Sequence, residues 1–351
     1  MTMTMPSRIT AGVDTHLDVH VAAALDELGG LLGVEMFATT PVGYAELLAW
    51  LQRFGVVELV GVEGTGSYGA GLTRFLHARQ VRVVEVDRPN RQRRRRRGKS
   101  DPQDAISAAR AAQSGDSCGL AKTRTGNVEA MRVLRVARWS ARKARTQALN
   151  QMRALIATAP DEIRCDLRDL NVHRLLERAT SYRPGQRRDV NAATKFALRT
   201  LARRAVALEA EIVEIDTILT ALVAETAPEL AAVNGVGTDV ATALLVAAGD
   251  NPERLRNEAT FAHLCGVAPI DASSGKHERH RLNRGGDRHA NSALWHIVIT
   301  RMVCDQRTRT YIARRIDEGR TKKEAIRSLK RFIAREIYHH LPRHQLVLDS
   351  P

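Results

Sequence analysis

Four carboxylates stand where one fold could gather them: Asp14 in an apolar segment, Glu63 closing the run VVELVGVE, and Asp101 and Asp104 in KSDPQDA. Asp101 and Asp104 are three apart, which on a helix puts them on one face, a single turn apart. Gathered carboxylates bind hard divalent cations. Mg2+ takes octahedral oxygen coordination from a few carboxylates plus a substrate phosphate, and two such ions can clamp the attacking and leaving oxygens of a phosphodiester. Seven arginines lie between Arg88 and Arg97, Arg93, Arg94, Arg95, Arg96 and Arg97 among them, with Lys99 just beyond. An acidic pair beside a cationic loop suits a metal-dependent enzyme acting on a polyanion. An acidic first turn that complements a helix dipole, preceded by a solvated basic loop, fits the same segment equally well.

A second candidate is Ser273-Ser274-Gly275, with Lys276, Arg279, Arg281, Arg284 and Arg288 around it. A serine in cationic surroundings can attack phosphate, because positive groups favour the alkoxide and the pentacovalent transition state. Most Ser-Ser-Gly loops are only turns, and by itself this one reads as a turn. No GxSxG elbow of a Ser/His/Asp hydrolase accompanies it.

The elements that must position these groups follow from periodicity and breakers. Residues 9 to 39 read as strands, with a turn at Gly29-Gly30, and regular alternation would put Asp14, His16 and Asp18 on one side. Thr40 and Pro41 open a helix through Trp50 and Phe54. Val56 to Glu63 is a buried-type strand ending in a carboxylate, a GTGSYG loop follows, and a helix covers about Ala70 to Arg79. Val81 to Val86 is a β-branched strand, and Ser100 with Pro102 starts a helix loaded with negative charge in its first turn. Three strands, helix, strand, helix, strand, helix is the order of a ribonuclease-H-like fold, in which separated carboxylates meet at one sheet edge.

From about Asn127 the composition turns to Ala, Arg and Leu. Leu198, Leu201, Ala205, Leu208, Ile212, Ile215, Leu219 and Leu222 keep an uninterrupted three-four spacing, a seam of about three heptads. Leu134, Ala137, Ala141, Ala144, Ala148 and Leu155 repeat it upstream, and Pro184-Gly185 separates the two stretches. An internal helical hairpin and a dimerisation arm both fit. Arg132, Arg135, Arg138, Arg142, Lys143, Arg145 and Arg153 on the first helix suit a polyanion-facing surface, and a merely solvated face fits them as well. Leu230 to Gly249, turning at Gly235-Val236-Gly237, is like a helix-hairpin-helix that holds phosphate on turn amides, and a plain connection fits as well. Thr310 to His340 reads as two basic amphipathic helices. The expected division is therefore residues 1–126, an α/β catalytic domain; 127–225, a helical coiled-coil arm; and 226–351, a mainly helical domain carrying the serine.

The 351 residues carry a net charge of +15, which favours a polyanionic partner, nucleic acid first. Four scattered cysteines with no CxxC pair argue for reduced thiols in the cytoplasm rather than a disulfide framework or a zinc site. No apolar run approaches the ~18 residues of a membrane span, and no secretory leader is evident.

Taken together, GVDTH (Gly12 to His16), VEGTGSYG (Val62 to Gly69), KSDPQDA (Lys99 to Ala105), GVAPIDASSGK (Gly266 to Lys276) and RLNRGGDRHANSAL (Arg281 to Leu294) resemble the transposases of the IS-one-ten insertion sequences, over roughly Ile9 to Tyr338. The resemblance implies a RuvC-like N-terminal domain whose four acids fall on Asp14, Glu63, Asp101 and Asp104, binding Mg2+ as two ions, with Mn2+ an alternative. It implies a C-terminal transposase domain whose serine falls on Ser274, with Ser273 the fallback in the doublet. Asp287 stands where many relatives have Asn, and Asn291 where many have Arg. The implied partners are double-stranded DNA, a structured bridge RNA and further copies of the chain, as dimer or tetramer, acting at the nucleoid. The implied chemistry is strand cleavage and exchange through a phosphoserine. A RuvC-like resolvase that uses water, and a non-catalytic nucleic-acid binder, are the competing classes; the presence of all four acids counts against the latter.

Overall fold

The computed structural model describes residues 7–86, 100–115, 119–185, 189–274 and 280–342. The chain divides into two units, one built from the residues up to Val128 together with Ala247–His263, the other from Glu129–Val246 and Leu264–Pro342.

The first unit is a mixed sheet with helices on both faces. Strands β1 (Arg8–Thr15), β2 (Val19–Leu25) and β3 (Leu31–Ala38) form an antiparallel meander, while β4 (Val56–Glu63) and β5 (Val83–Val86) add in parallel on the other side of β1, giving the order β3-β2-β1-β4-β5. Alternation decides the faces. Ile9, Ala11, Val13, Val60 and Val62 pack with Leu47, Leu51 and Leu72 of helices α1 (Pro41–Gln52) and α2 (Ala70–His77). Thr40 caps α1 as its sequence predicts, its hydroxyl accepting the Gly43 amide at 3.1 Å. On the opposite face Val21 and Ala23 meet Ala105 and Ile106 of α3 (Asp101–Gln113). The close approach of α3 depends on two glycines. A Cβ at Gly12 would lie 2.0 Å from the Ala109 nitrogen and 2.3 Å from the Ala105 carbonyl, and one at Gly61 would lie 2.8 Å from the Ala108 carbonyl.

Residues far along the chain complete this unit. Leu120 bridges Val84 at the free edge of β5. The Asn251 side chain donates to the Ala121 carbonyl at 3.0 Å, Arg254 donates to the Leu120 carbonyl at 3.0 Å, and the Asp250 carboxylate accepts the Val128 amide at 3.0 Å.

In the second unit, α4 (Asn127–Ala157) and α7 (Val190–Thr226) run antiparallel, as the pairs Arg138–Asp216 and Arg145–Glu209 show. The expected single long helix from Asn127 towards Pro184 is instead α4 followed by short helices α5 (Asp161–Leu167) and α6 (Val172–Thr180). Pro160 holds the N-cap position of the second and Asn171 caps the third, accepting the Arg174 amide at 3.0 Å. The seam residues Leu198, Ala205, Ile212, Ile215 and Leu219 are buried by the chain itself; Leu198, Ala202 and Ala205 pack with Met152, Ile156 and Leu175. Among the arginines expected to face a polyanion, Arg132 pairs with Glu129, Arg135 with Asp239, Arg138 with Asp216 and Asp239, and Arg145 with Glu209. Arg142, Lys143 and Arg153 are exposed. The first arm of the expected helix-hairpin-helix is only one turn, α8 (Pro228–Ala231), before Gly235 (φ +81°) and α9 (Thr238–Ala248). After α10 (Glu258–Leu264), which belongs to the first unit as far as His263, the second unit continues with a two-strand hairpin of β6 (Ile270–Asp271) and β7 (His280–Arg281) and helices α11 (Arg288–Cys304), α12 (Gln306–Asp317) and α13 (Lys322–His339). A reciprocal capping box between Thr321 and Glu324 opens α13. Among the described residues no helix is long and apolar enough to cross a membrane.

Candidate metal centre

Register brings the acids to one edge. Val13 of β1 lies opposite Val62 of the parallel β4, so Asp14 and Glu63, the next residues, leave their strands side by side at the carboxyl ends. Gly12, two residues before Asp14, and Gly61, two before Glu63, both face α3, which sets Asp14 and Glu63 on the α3 side of the sheet. The Thr15 hydroxyl donates to the Glu63 carbonyl at 2.7 Å and ties the two strand ends together. The amino end of α3 then supplies Asp101 and Asp104. Ser100 holds the N-cap position with extended φ and ψ, but its side chain makes no cap hydrogen bond, so the first turn is left to its acids.

Asp14 and Asp104 are both buried, at 6% relative exposure each, which is where a lone carboxylate is costly. Burial pushes the Asp14 carboxyl above its ordinary range, the charges of Asp104 and Asp101 push the same way, and His16 opposes them. His16 is the residue the sequence left out of the site. Its Nε2 lies 3.2 Å from Asp14 Oδ2 and 3.4 Å from Asp101 Oδ1. Asp14, His16 and Asp101 present donor atoms that all lie within 4.8 Å of one another, whereas Asp18, expected on the same side, is not in that group. The reason is that β1 ends at Thr15 and the alternation ends with it: His16 sits in the turn to β2, its amide donating to the Val19 carbonyl at 3.2 Å. The signal for His16 was its place two residues beyond Asp14 in GVDTH. The oxygen-rich donor set suits a hard divalent cation, and a cation there would offset the charge of three neighbouring carboxylates.

Ser274 lies in the second unit, exposed, on the loop of the β6–β7 hairpin. Ser273 is held by Asp271, whose carboxylate accepts its amide at 2.8 Å and its hydroxyl as well. Arg281 on β7 and Arg284 and Arg288 beyond the hairpin are exposed, while Arg93 to Arg97, Lys99, Lys276 and Arg279 lie outside the described residues. Arg281 and Arg284 line a cleft of about 860 Å³ together with Arg314, Arg327, Lys330 and Arg331 of α12 and α13, cations that the sequence placed only in a basic helical tail. Asp287 caps α11, accepting the His289 and Ala290 amides, a task that Asn performs equally well. Asn291 donates to the Cys265 carbonyl at 2.8 Å and accepts from Lys330 at 2.8 Å.

Comparison with known proteins bears on both units. Residues 11–159 match a family model described as a transposase, of the DEDD type of IS110, and residues 227–313 match the model of the transposase IS116/IS110/IS902 family. The chain is similar to the "Insertion element IS110 uncharacterized 43.6 kDa protein" of Streptomyces coelicolor, 35% identical over 106 residues, which is 30% of this chain and 26% of that relative. The chain thus spans about a quarter of the length of the curated relative it matches.

Proposed function

Because the chain belongs to the IS110 family of insertion-element transposases, we propose that it cuts and rejoins DNA, with the acidic edge of its first unit as the metal centre. The observation that carries this is the convergence of Asp14 and Asp101 on one edge, with Glu63 leaving the adjacent strand end and Asp104 acting on Asp14 through its charge. The strand order, with acids at these positions, supports a ribonuclease-H/RuvC-like domain for residues 1–126, followed by a helical arm (127–225) and a serine-bearing transposase domain (226–351). Asp14, Glu63, Asp101 and Asp104 would hold two divalent ions, Mg2+ or Mn2+, which when bound neutralise phosphate charge and polarise the scissile bond.

In this reading Ser274 is the nucleophile. Its oxygen bonds to phosphorus, the bond from phosphorus to a deoxyribose oxygen breaks, and that oxygen leaves with a proton. Attack by a second strand's hydroxyl then releases the serine, so the phosphoester bond is conserved and no ATP is consumed. Ser273 is the weaker candidate because Asp271 already engages it. The partners are double-stranded DNA, a structured bridge RNA that selects sequence by base pairing, and further copies of the chain in the cytoplasm. Arg281 and Arg284, with the cleft behind them, would grip phosphates without reading bases.

The test is to incubate the full chain with its element's RNA and end-labelled DNA in Mg2+, then denature. A covalent protein–DNA adduct that disappears in Ser274→Ala and in Asp104→Asn is the expected result. A metal-dependent nick with free ends and no adduct would point to a resolvase that uses water. Tight binding with no cleavage would leave only a nucleic-acid binder.

A further inference from the structure

His16 stands in the acidic edge without belonging to the four acids, and its geometry is that of a ligand. In an octahedral site with bonds near 2.1 Å, adjacent donors are about 3 Å apart and opposite donors about 4.2 Å. His16 Nε2 is 3.2 Å from Asp14 Oδ2 and 3.4 Å from Asp101 Oδ1, and the three donors fall within 4.8 Å of one another. His16 is thus at adjacent-corner distance from each carboxylate, and the three donors are close enough together for one cation to draw them into its coordination shell. The position is also fixed on both sides. Asp14 is the last but one residue of the buried strand β1, and His16 is held by the β1–β2 turn through its amide and through its carbonyl, which accepts the Thr39 hydroxyl at 3.3 Å.

We propose that His16 is the nitrogen ligand of one of the two cations, so that this ion is bound by Asp14, Asp101 and an imidazole. This rests on the metal centre proposed above and adds to it a preference. An imidazole donor strengthens binding of first-row transition ions, while Mg2+, which keeps to oxygen and to its own waters, gains little from it. The centre therefore favours Mn2+, and more strongly the later divalent ions, over Mg2+ at the His16 position. The all-carboxylate position, nearer Glu63 and Asp104, has no such bias.

The experiment uses the full chain and Mn2+ alone. Free Mn2+ is read from its solution EPR signal, Mg2+ is measured by displacement of bound Mn2+, and pulsed EPR reports any nitrogen bonded to the ion. The expected result is a directly bonded nitrogen in the wild-type spectrum that changes when the protein is grown with 15N-histidine and is lost in His16→Ala and His16→Asn. Mn2+ affinity at that position should fall about tenfold in the variants, with Mg2+ affinity moving less than about threefold. Bound Mn2+ with no histidine nitrogen overturns this inference and leaves the carboxylate centre standing. No bound Mn2+ at all overturns both. Should either variant misfold by circular dichroism, the labelled wild-type spectrum decides the question alone.

Discussion

The imidazole of His20 is fully buried, stacked on Tyr44 with ring centroids 5.7 Å apart, and burial pushes its pKa down to about 4. In an unfolded chain the same group titrates near 6.5. Between those values the unfolded state takes up a proton that the folded state refuses, so stability is intact above about pH 6.5 and falls as the pH drops towards 4. His20→Phe keeps the stacked ring and removes the proton site. Urea unfolding should show it gaining roughly 2–3 kcal/mol on wild type at pH 4.5, relative to their difference at pH 7.5; parallel pH curves would remove His20 from the acid limb. Asp14 has the opposite sign: its raised pKa means that the ionised carboxylate costs stability at neutral pH. Asp14→Asn should therefore melt higher than wild type in chelator at pH 7. It should also lose the rise in melting temperature that a divalent ion gives by binding the folded state. A lower melting temperature in chelator would show that the buried charge is already compensated.

Helix α3 reaches the sheet only because β1 and β4 present Gly12 and Gly61 to it. Gly12→Ala would set a methyl against helix backbone, which cannot rotate away, so the helix must lift and carry Asp101 and Asp104 with it. A loss of about 3 kcal/mol is expected, along with cleavage, and equilibrium unfolding together with the adduct assay would check both. The α4–α7 hairpin makes a similar demand. Ile215 is buried within the chain, so Ile215→Lys should lower the melting temperature of the monomer itself; a change in mass by light scattering with an unchanged melt would return the seam to an intermolecular role. Much of this was legible beforehand. The succession of strands and helices along the chain, the Thr40 cap and the shared face of Asp101 and Asp104 all follow from local pattern. The hairpin's inner face was only half legible, because at Arg138 and Arg145 the three-four spacing runs through arginines neutralised by Asp216 and Glu209 on the other helix. A local period cannot show such long-range pairing. His16 was hidden for a related reason: a turn, not a period, aims it.

At a net charge of +15, affinity for any nucleic acid should fall steeply with salt. Arg281→Ser with Arg284→Ser should reduce the slope of log K against log salt by about one for each phosphate the two side chains had neutralised. An unchanged slope would make these arginines solvated bystanders. The strap formed by Asp250, Asn251 and Arg254 on residues 120–128 governs how the molecule is born. A ribosome that has released the whole sheet still holds back the side chains that close it, and the intervening residues 129–246 must emerge first. The nascent sheet therefore waits with the Leu120 and Ala121 carbonyls open while the hairpin folds. A polypeptide stopped at residue 128 should be more protease-sensitive around residues 119–128 than the finished chain, and adding residues 247–263 as a separate peptide should restore protection there.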